Sequence, residues 1–179
     1  MLYFIRHGQT EQNVQGILTG RLDIPLNETG LNQVAKAGEE AKDLEIDIIF
    51  CSPLLRARQT CEAINKYHNV KVILTDEVIE RTYGKYEGKH NSCVNKEKMW
   101  CYFEDNYNKI METPKELFGR IYAFLDKIKK EYKDKNILIV AHNGVGRAIH
   151  CYFNGIPVDG NLLNLNMDNA KVIEYKFED

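Results

Sequence analysis

Apolar positions along the chain follow two rhythms. A continuous apolar run at residues 2–5 predicts a strand buried on both faces, as in a parallel sheet, and the largely apolar stretches 46–50, 70–74 and 136–141 predict three more strands. Between them, apolar residues recur at helical spacing. Leu31, Val34, Ala35, Gly38 and Ala41 fall on one face after a cap at Asn27 or Thr29. Ser52-Pro53 reads as a helix entry, with Arg56 in the first turns. Thr113-Pro114-Lys115-Glu116 is a capping box that opens a helix burying Leu117, Ile121, Phe124, Leu125 and Ile128. A last helix over about 145–153 ends at Asn154-Gly155. Leu163, Leu165 and Met167 alternate, as do Ile173, Tyr175 and Phe177, which predicts an antiparallel hairpin at the sheet edge. Strands alternating with helices give an α/β fold: three layers, with a mostly parallel sheet flanked by helices.

One segment breaks the alternation. Over residues 89–113, Met99, Phe103, Tyr107 and Ile110 recur every three or four residues, predicting a short amphipathic helix that caps the sheet end. The length of 179 residues suits one domain over 1–179 with that cap inserted. Formal charge is -2, with 24 Lys+Arg against 26 Asp+Glu, so neither a nucleic-acid nor a membrane surface is expected. Four apolar residues before Arg6 are too few for a signal-peptide core, and no run reaches spanning length; a cytoplasmic protein is the expectation. Cys51, Cys61, Cys93, Cys101 and Cys151 form an odd set without a CxxC pair, which fits reduced thiols.

The candidate chemistry lies where strands end. Arg6 and His7 follow the first strand, Arg56 the second, Glu80 the third and His142 the fourth. In open α/β sheets ligands bind at that edge. Two arginines, two histidines and a carboxylate suit phosphoryl transfer: Arg offers fixed bidentate donors, and neutral imidazole is a nucleophile. Glu77 and Glu87 compete with Glu80 for the acid. His68, His90 and His150 read as ordinary surface or core residues, and Arg58 as a surface ion-pair partner.

Four ordered segments carry a resemblance: Arg6-His7-Gly8-Gln9-Thr10-Glu11-Gln12-Asn13, Cys51-Ser52-Pro53-Leu54-Leu55-Arg56-Ala57-Arg58-Gln59-Thr60, Ile79-Glu80-Arg81-Thr82-Tyr83-Gly84-Lys85-Tyr86-Glu87-Gly88, and Val140-Ala141-His142-Asn143-Gly144. Together they resemble the histidine phosphatase superfamily, the phosphoglycerate mutase-like phosphatases and mutases that form a phosphohistidine. The resemblance selects Glu80 among the three glutamates. It implies that His7 is the nucleophile, that Glu80 and His142 complete the catalytic set, and that Arg6, Arg56 and Asn13 bind phosphate beside Thr19 and Gly20. Many members have Gly directly after the second histidine. Here Asn143 precedes Gly144, and its amide is a further candidate for the pocket. The implied enzyme needs no metal or cofactor and acts on a small-molecule phosphoester. The cap carries Lys89, Lys96, Lys98 and Lys109 against Glu97, Glu104, Asp105 and Glu112, and no arginine. That charge balance favours a phosphatase; the alternatives are a phosphoglycerate mutase and a non-catalytic phospholigand-binding domain.

Overall fold

The computed structural model describes every residue except Asp105, Asn106, Asn108, Glu178 and Asp179. Five strands form one sheet: β1 (Leu2–Arg6), β2 (Ile48–Cys51), β3 (Lys71–Leu74), β4 (Ile137–Ala141) and β5 (Val172–Tyr175), in the order β3-β2-β4-β1-β5. All pairs are parallel except β1 with β5. The helices are α1 (Glu11–Val14), α2 (Glu28–Glu40), α3 (Leu55–His68), α4 (Lys96–Met99), α5 (Pro114–Glu131) and α6 (Asn143–Asn154). No described helix is long and apolar enough to cross a membrane.

The period of two along each strand divides the core into two layers. Leu2, Phe4, Phe50, Ile137 and Ile139 face α5 and α6, in the cluster that includes Leu117, Phe118, Ile121, Val145 and Ala148. Tyr3, Ile5, Ile49, Leu138 and Val140 face α2 and α3, against Ala37, Ala57, Cys61 and Ile64. Both faces are covered, which is why β1, β2 and β4 read as unbroken apolar runs. The chain leaves β1 toward α2 on one face and β4 toward α6 on the other. These two strands are neighbours, so a crevice opens between their carboxyl ends.

Three local expectations are corrected. Residues 163–167 form no strand; β5 pairs with β1, not with them. Their backbone groups meet side chains instead. Leu163 and Leu165 carbonyls accept from Arg147, the Met167 carbonyl accepts from Arg6, and Met167 N–H donates to Asn143 Oδ1. Among the described residues of the cap, helix is confined to a 3-10 turn at Asn91–Cys93 and the single turn α4; Met99 is buried but Phe103 is 55% exposed. Asp105 of the cap lies outside the described residues. In α2 the buried face is Gly30, Val34, Ala37 and Gly38, while Leu31 points outward.

Helix ends follow the sequence more closely. Asn27 caps α2 by accepting from Gly30 N–H, and the Thr113–Glu116 capping box opens α5. Ser52 does not cap α3 by direct extension: the helix begins at Leu55, whose N–H is taken by Asp23 Oδ1 at 2.6 Å.

Candidate active site

Ladder register brings the two histidines together. Arg6 pairs with Ala141 across β1 and β4, and His7 N–H continues the ladder to the Ala141 carbonyl at 3.0 Å. His7 therefore sits beside His142, with ring centroids 5.2 Å apart and planes at 62°. Across the other edge of β4, Ser52 N–H donates to the Val140 carbonyl at 3.0 Å. Three adjacent strands thus deliver His7, His142 and Ser52 to one place.

The His7 ring is held through both nitrogens and the His142 ring through one. His7 Nδ1 lies 2.7 Å from the Gly8 carbonyl, which can only accept, so Nδ1 carries the proton and Nε2 the lone pair. That lone pair receives Arg56 Nε–H at 3.3 Å. Asn169 donates to the His7 carbonyl at 2.7 Å, fixing the main chain. Gly8 is demanded by packing: a Cβ there would meet the Gly30 carbonyl oxygen at 2.6 Å. His142 Nε2 lies 2.7 Å from Ser52 Oγ, while its buried Nδ1 has no partner among the described residues.

The arginines are anchored yet not exhausted. Arg56 is 2% exposed and donates to His7 Nε2, to the Leu22 carbonyl at 2.8 Å and to the Gly20 carbonyl at 2.7 Å. A guanidinium has five N–H groups, so donors remain for an anion. Arg6 Nη1 donates to the Met167 carbonyl at 2.7 Å, and its buried Nε has no partner among the described residues. Arg58 is partly buried and lies away from this cluster; the surface ion pair expected for it is not formed among the described residues.

Glu80 is 7% exposed and each of its oxygens takes one backbone N–H: Oε1 from Arg81 at 2.8 Å, Oε2 from Gly144 at 3.2 Å. The second bond places the carboxylate at the amino end of α6, where the helix dipole favours negative charge. Gly144 permits this approach, since a Cβ there would stand 2.4 Å from Glu80 Oε1. Glu77 pairs instead with Lys127 at 3.5 Å. Glu87 Oε1 is occupied by Arg21 N–H, Tyr83 N–H and the Thr82 hydroxyl.

A cavity of about 110 Å³ is lined by Arg6, His7, Asn13, Arg56, Glu80 and Asn143; His142 is in ring contact with His7 but is not itself among the lining residues. Thr19 and Gly20 line it as well, joined by Ile17, Leu18 and Tyr83. Asn13 closes a capping box on α1, accepting Thr10 N–H at Oδ1, which leaves its NH₂ group free of that box. The Asn143 amide is largely spent on the 166–167 loop, donating to Asn166 Oδ1 at 2.9 Å and accepting from Met167 N–H.

Burial dominates the electrostatics. It pushes both His7 and His142 well below the usual imidazole range, and the Arg56 and Arg6 charges push the same way. Burial also lowers both arginines and lifts the Tyr83 hydroxyl to about 12, with Glu80 adding to the latter. Both histidines are thus held neutral.

The family model described as the histidine phosphatase superfamily (branch 1) matches residues 2–179. The chain belongs to the histidine phosphatase superfamily. It is 38% identical over 174 residues to an uncharacterized phosphatase, PhoE, of Bacillus subtilis, covering 97% of this chain and 86% of that one. It is 33% identical over 191 residues to putative phosphoserine phosphatase 2 of Hydrogenobacter thermophilus, covering 99% and 89%. Among solved structures it superimposes on YhfR of Bacillus stearothermophilus with a TM-score of 0.86, at 24% identity over 96% of this chain and 88% of that one.

In this member of the superfamily, sequence reasoning missed the supports of the site. Ser52 reads as a helix cap and Asn169 as a turn residue, because their partners His142 and His7 lie far off in the chain. Tyr83 is visible only as a neighbour of Glu80 in the third of the four segments, Glu80-Arg81-Thr82-Tyr83. The neutral histidines also have a measurable consequence for stability. Below the free imidazole value of about 6.5, the unfolded chain binds protons that the folded chain refuses, so stability rises with pH and is lost as pH falls. Each ring contributes a slope of up to about 1.4 kcal/mol per pH unit. Urea midpoints between about pH 6.5 and 5 should therefore fall more steeply for the wild type than for His142→Asn. Identical slopes would show that His142 titrates normally.

Proposed function

We propose that this chain is a metal-independent phosphatase that hydrolyses small phosphomonoesters through a phosphohistidine on His7, acting as one domain. The observation that carries this reading is the fixed His7 tautomer: Nδ1–H on the Gly8 carbonyl, and a lone pair at Nε2 in a cavity that two arginines line. Nε2 attacks phosphorus and the P–O ester bond breaks. The departing alkoxide takes a proton from the Glu80 carboxylic acid. The ring, now phosphorylated at Nε2, retains its Nδ1 proton, and the Gly8 carbonyl stabilises the resulting cation. In the second step Glu80 removes a proton from water, the water oxygen attacks phosphorus, and the P–N bond breaks to return neutral His7.

Arg6, Arg56 and the Asn13 amide grip the equatorial oxygens throughout. His142 assists from the side. Ser52 Oγ accepts Leu54 N–H at 3.4 Å and keeps its own proton; in this reading that proton is donated to His142 Nε2, which leaves Nδ1 protonated as a donor. Two guanidiniums at one cavity repel a dication, which supports chemistry without metal.

The relative named as a putative phosphoserine phosphatase makes phosphoserine the first substrate to assay, within a panel of sugar and nucleotide-like phosphates. Phosphate release that persists in chelator is expected. Failure on every phosphomonoester, or loss in chelator, overturns the proposal. Vanadate should compete with substrate by resembling the trigonal transition state. Arg56→Ala should weaken that inhibition by about 10²- to 10³-fold, the usual worth of one preorganised donor, and Arg58→Ala should leave it nearly unchanged. Equal losses would mean that Arg56 does not grip the phosphoryl oxygens.

A further inference from the structure

The segment that carries Glu80 is almost without regular structure, passing from a 3-10 turn at Asp76–Val78 into extended backbone. Side chains hold its carbonyls where a sheet ladder would otherwise do so. Arg120 donates to the Glu77 carbonyl at 2.9 Å and to the Ile79 carbonyl at 2.7 Å. Arg21 Nε donates to the Glu80 carbonyl itself at 3.1 Å. Glu112 N–H donates to the Thr82 carbonyl at 3.1 Å. Arg81 in return donates to the Glu112 carbonyl and, at 2.8 Å, to that of Met99.

The cations converge on one carboxylate. Glu112 accepts from Arg120 Nε at 2.7 Å and Nη2 at 3.2 Å, and its Oε2 also lies 3.5 Å from Arg21 Nη2. Its side chain is only 12% exposed, whereas that of Arg21 is 42% exposed. Without this carboxylate, two guanidiniums would face each other while still holding three peptide carbonyls around Glu80. Like charges would separate them, and the backbone that they grip would move too.

We infer that Glu112, outside the catalytic cavity, is a positioning residue for Glu80, and that Arg21 and Arg120 transmit its effect. The inference rests on Glu80 being the proton donor. Proton transfer needs hydrogen-bond reach, and a misplacement of about 1 Å can cost about 10²-fold. A carboxylate that merely stabilises the fold would affect every substrate alike.

The test is the single-turnover burst of Glu112→Gln on phosphoserine, a poor leaving group, and on p-nitrophenyl phosphate, a good one. The expected result is a loss of about 10-fold or more on phosphoserine and little on p-nitrophenyl phosphate. The same substitution should add nothing to Glu80→Gln, because the group it positions is already gone. Arg21→Met, at an exposed side chain where folding is not at stake, should repeat the pattern with a smaller size. Equal losses on both substrates, or losses that multiply with Glu80→Gln, overturn the inference while leaving Glu80 as the acid. If Glu80→Gln itself shows no dependence on the leaving group, the acid assignment falls and this inference falls with it.

Discussion

Replacing His7 with alanine is expected to lower turnover on every phosphomonoester by about 10³-fold or more and to abolish the phosphoenzyme. The geometry makes this the most sensitive position. The ring is 4% exposed and cannot reorient, since Nδ1 is committed to Gly8 and Nε2 faces Arg56. Burial and two nearby guanidinium charges keep it unprotonated, so the nucleophilic form is present well below neutral pH. Rapid quench with labelled substrate should trap a wild-type adduct that is labile in acid and stable in base, the behaviour of a phosphoramidate. Thermal melts of the variant separate loss of the nucleophile from loss of the fold. Turnover within tenfold of wild type in a folded variant would sink the assignment.

The second large effect is expected at Glu80. Glu80→Gln should slow the burst on alkyl phosphates by about 10²- to 10⁴-fold, the range of general acid catalysis, and slow p-nitrophenyl phosphate much less. An alkoxide needs the proton; p-nitrophenolate leaves without it. The substitution is not hydrogen-bond neutral here. Both carboxylate oxygens accept from backbone N–H groups, so a glutamine must turn its NH₂ toward either Arg81 N–H or Gly144 N–H and lose that bond. The aryl substrate measures this positional loss, and the ratio of the two bursts isolates proton transfer. A ratio of one would show that Glu80 shapes the pocket and that the acid lies at another residue.

What the sequence made legible, and what it hid, divide along a physical line. β1, β2 and β4 were readable because burial on both faces demands unbroken apolar runs, and the strand-end placement of Arg6, His7 and His142 followed directly. Hydrophobic spacing misled where backbone groups are satisfied by side chains. Leu163, Leu165 and Met167 alternate like a strand, yet their carbonyls serve Arg147 and Arg6. The Met99 to Ile110 spacing suggested a helix, but the chain there is held by contacts to other segments. Tyr102 N–H reaches the Gly160 carbonyl, and Leu162 N–H reaches that of Trp100. Trp100 itself is packed between the guanidiniums of Arg81 and Arg147, at 4.6 and 4.1 Å from its ring centroid. Ser52, Asn169 and Glu112 were hidden for the same reason: each acts on a partner that no local pattern announces.

The sheet order carries a consequence for how the molecule assembles. β1 is the first of the five strands in chain order, yet its ladder neighbours, β4 and β5, are the last two. Until those two dock, Leu2, Phe4 and Ile5 have no ladder partners, and the loop that must close runs over residues 7–136. Such non-local pairing slows folding, and an unpaired apolar strand is prone to join its counterpart in another chain. His7, the proposed nucleophile, follows the end of that strand, and His142 follows the end of β4. Catalytic competence therefore arrives with the last pairing step, so recovery of activity on refolding should lag behind recovery of helical signal.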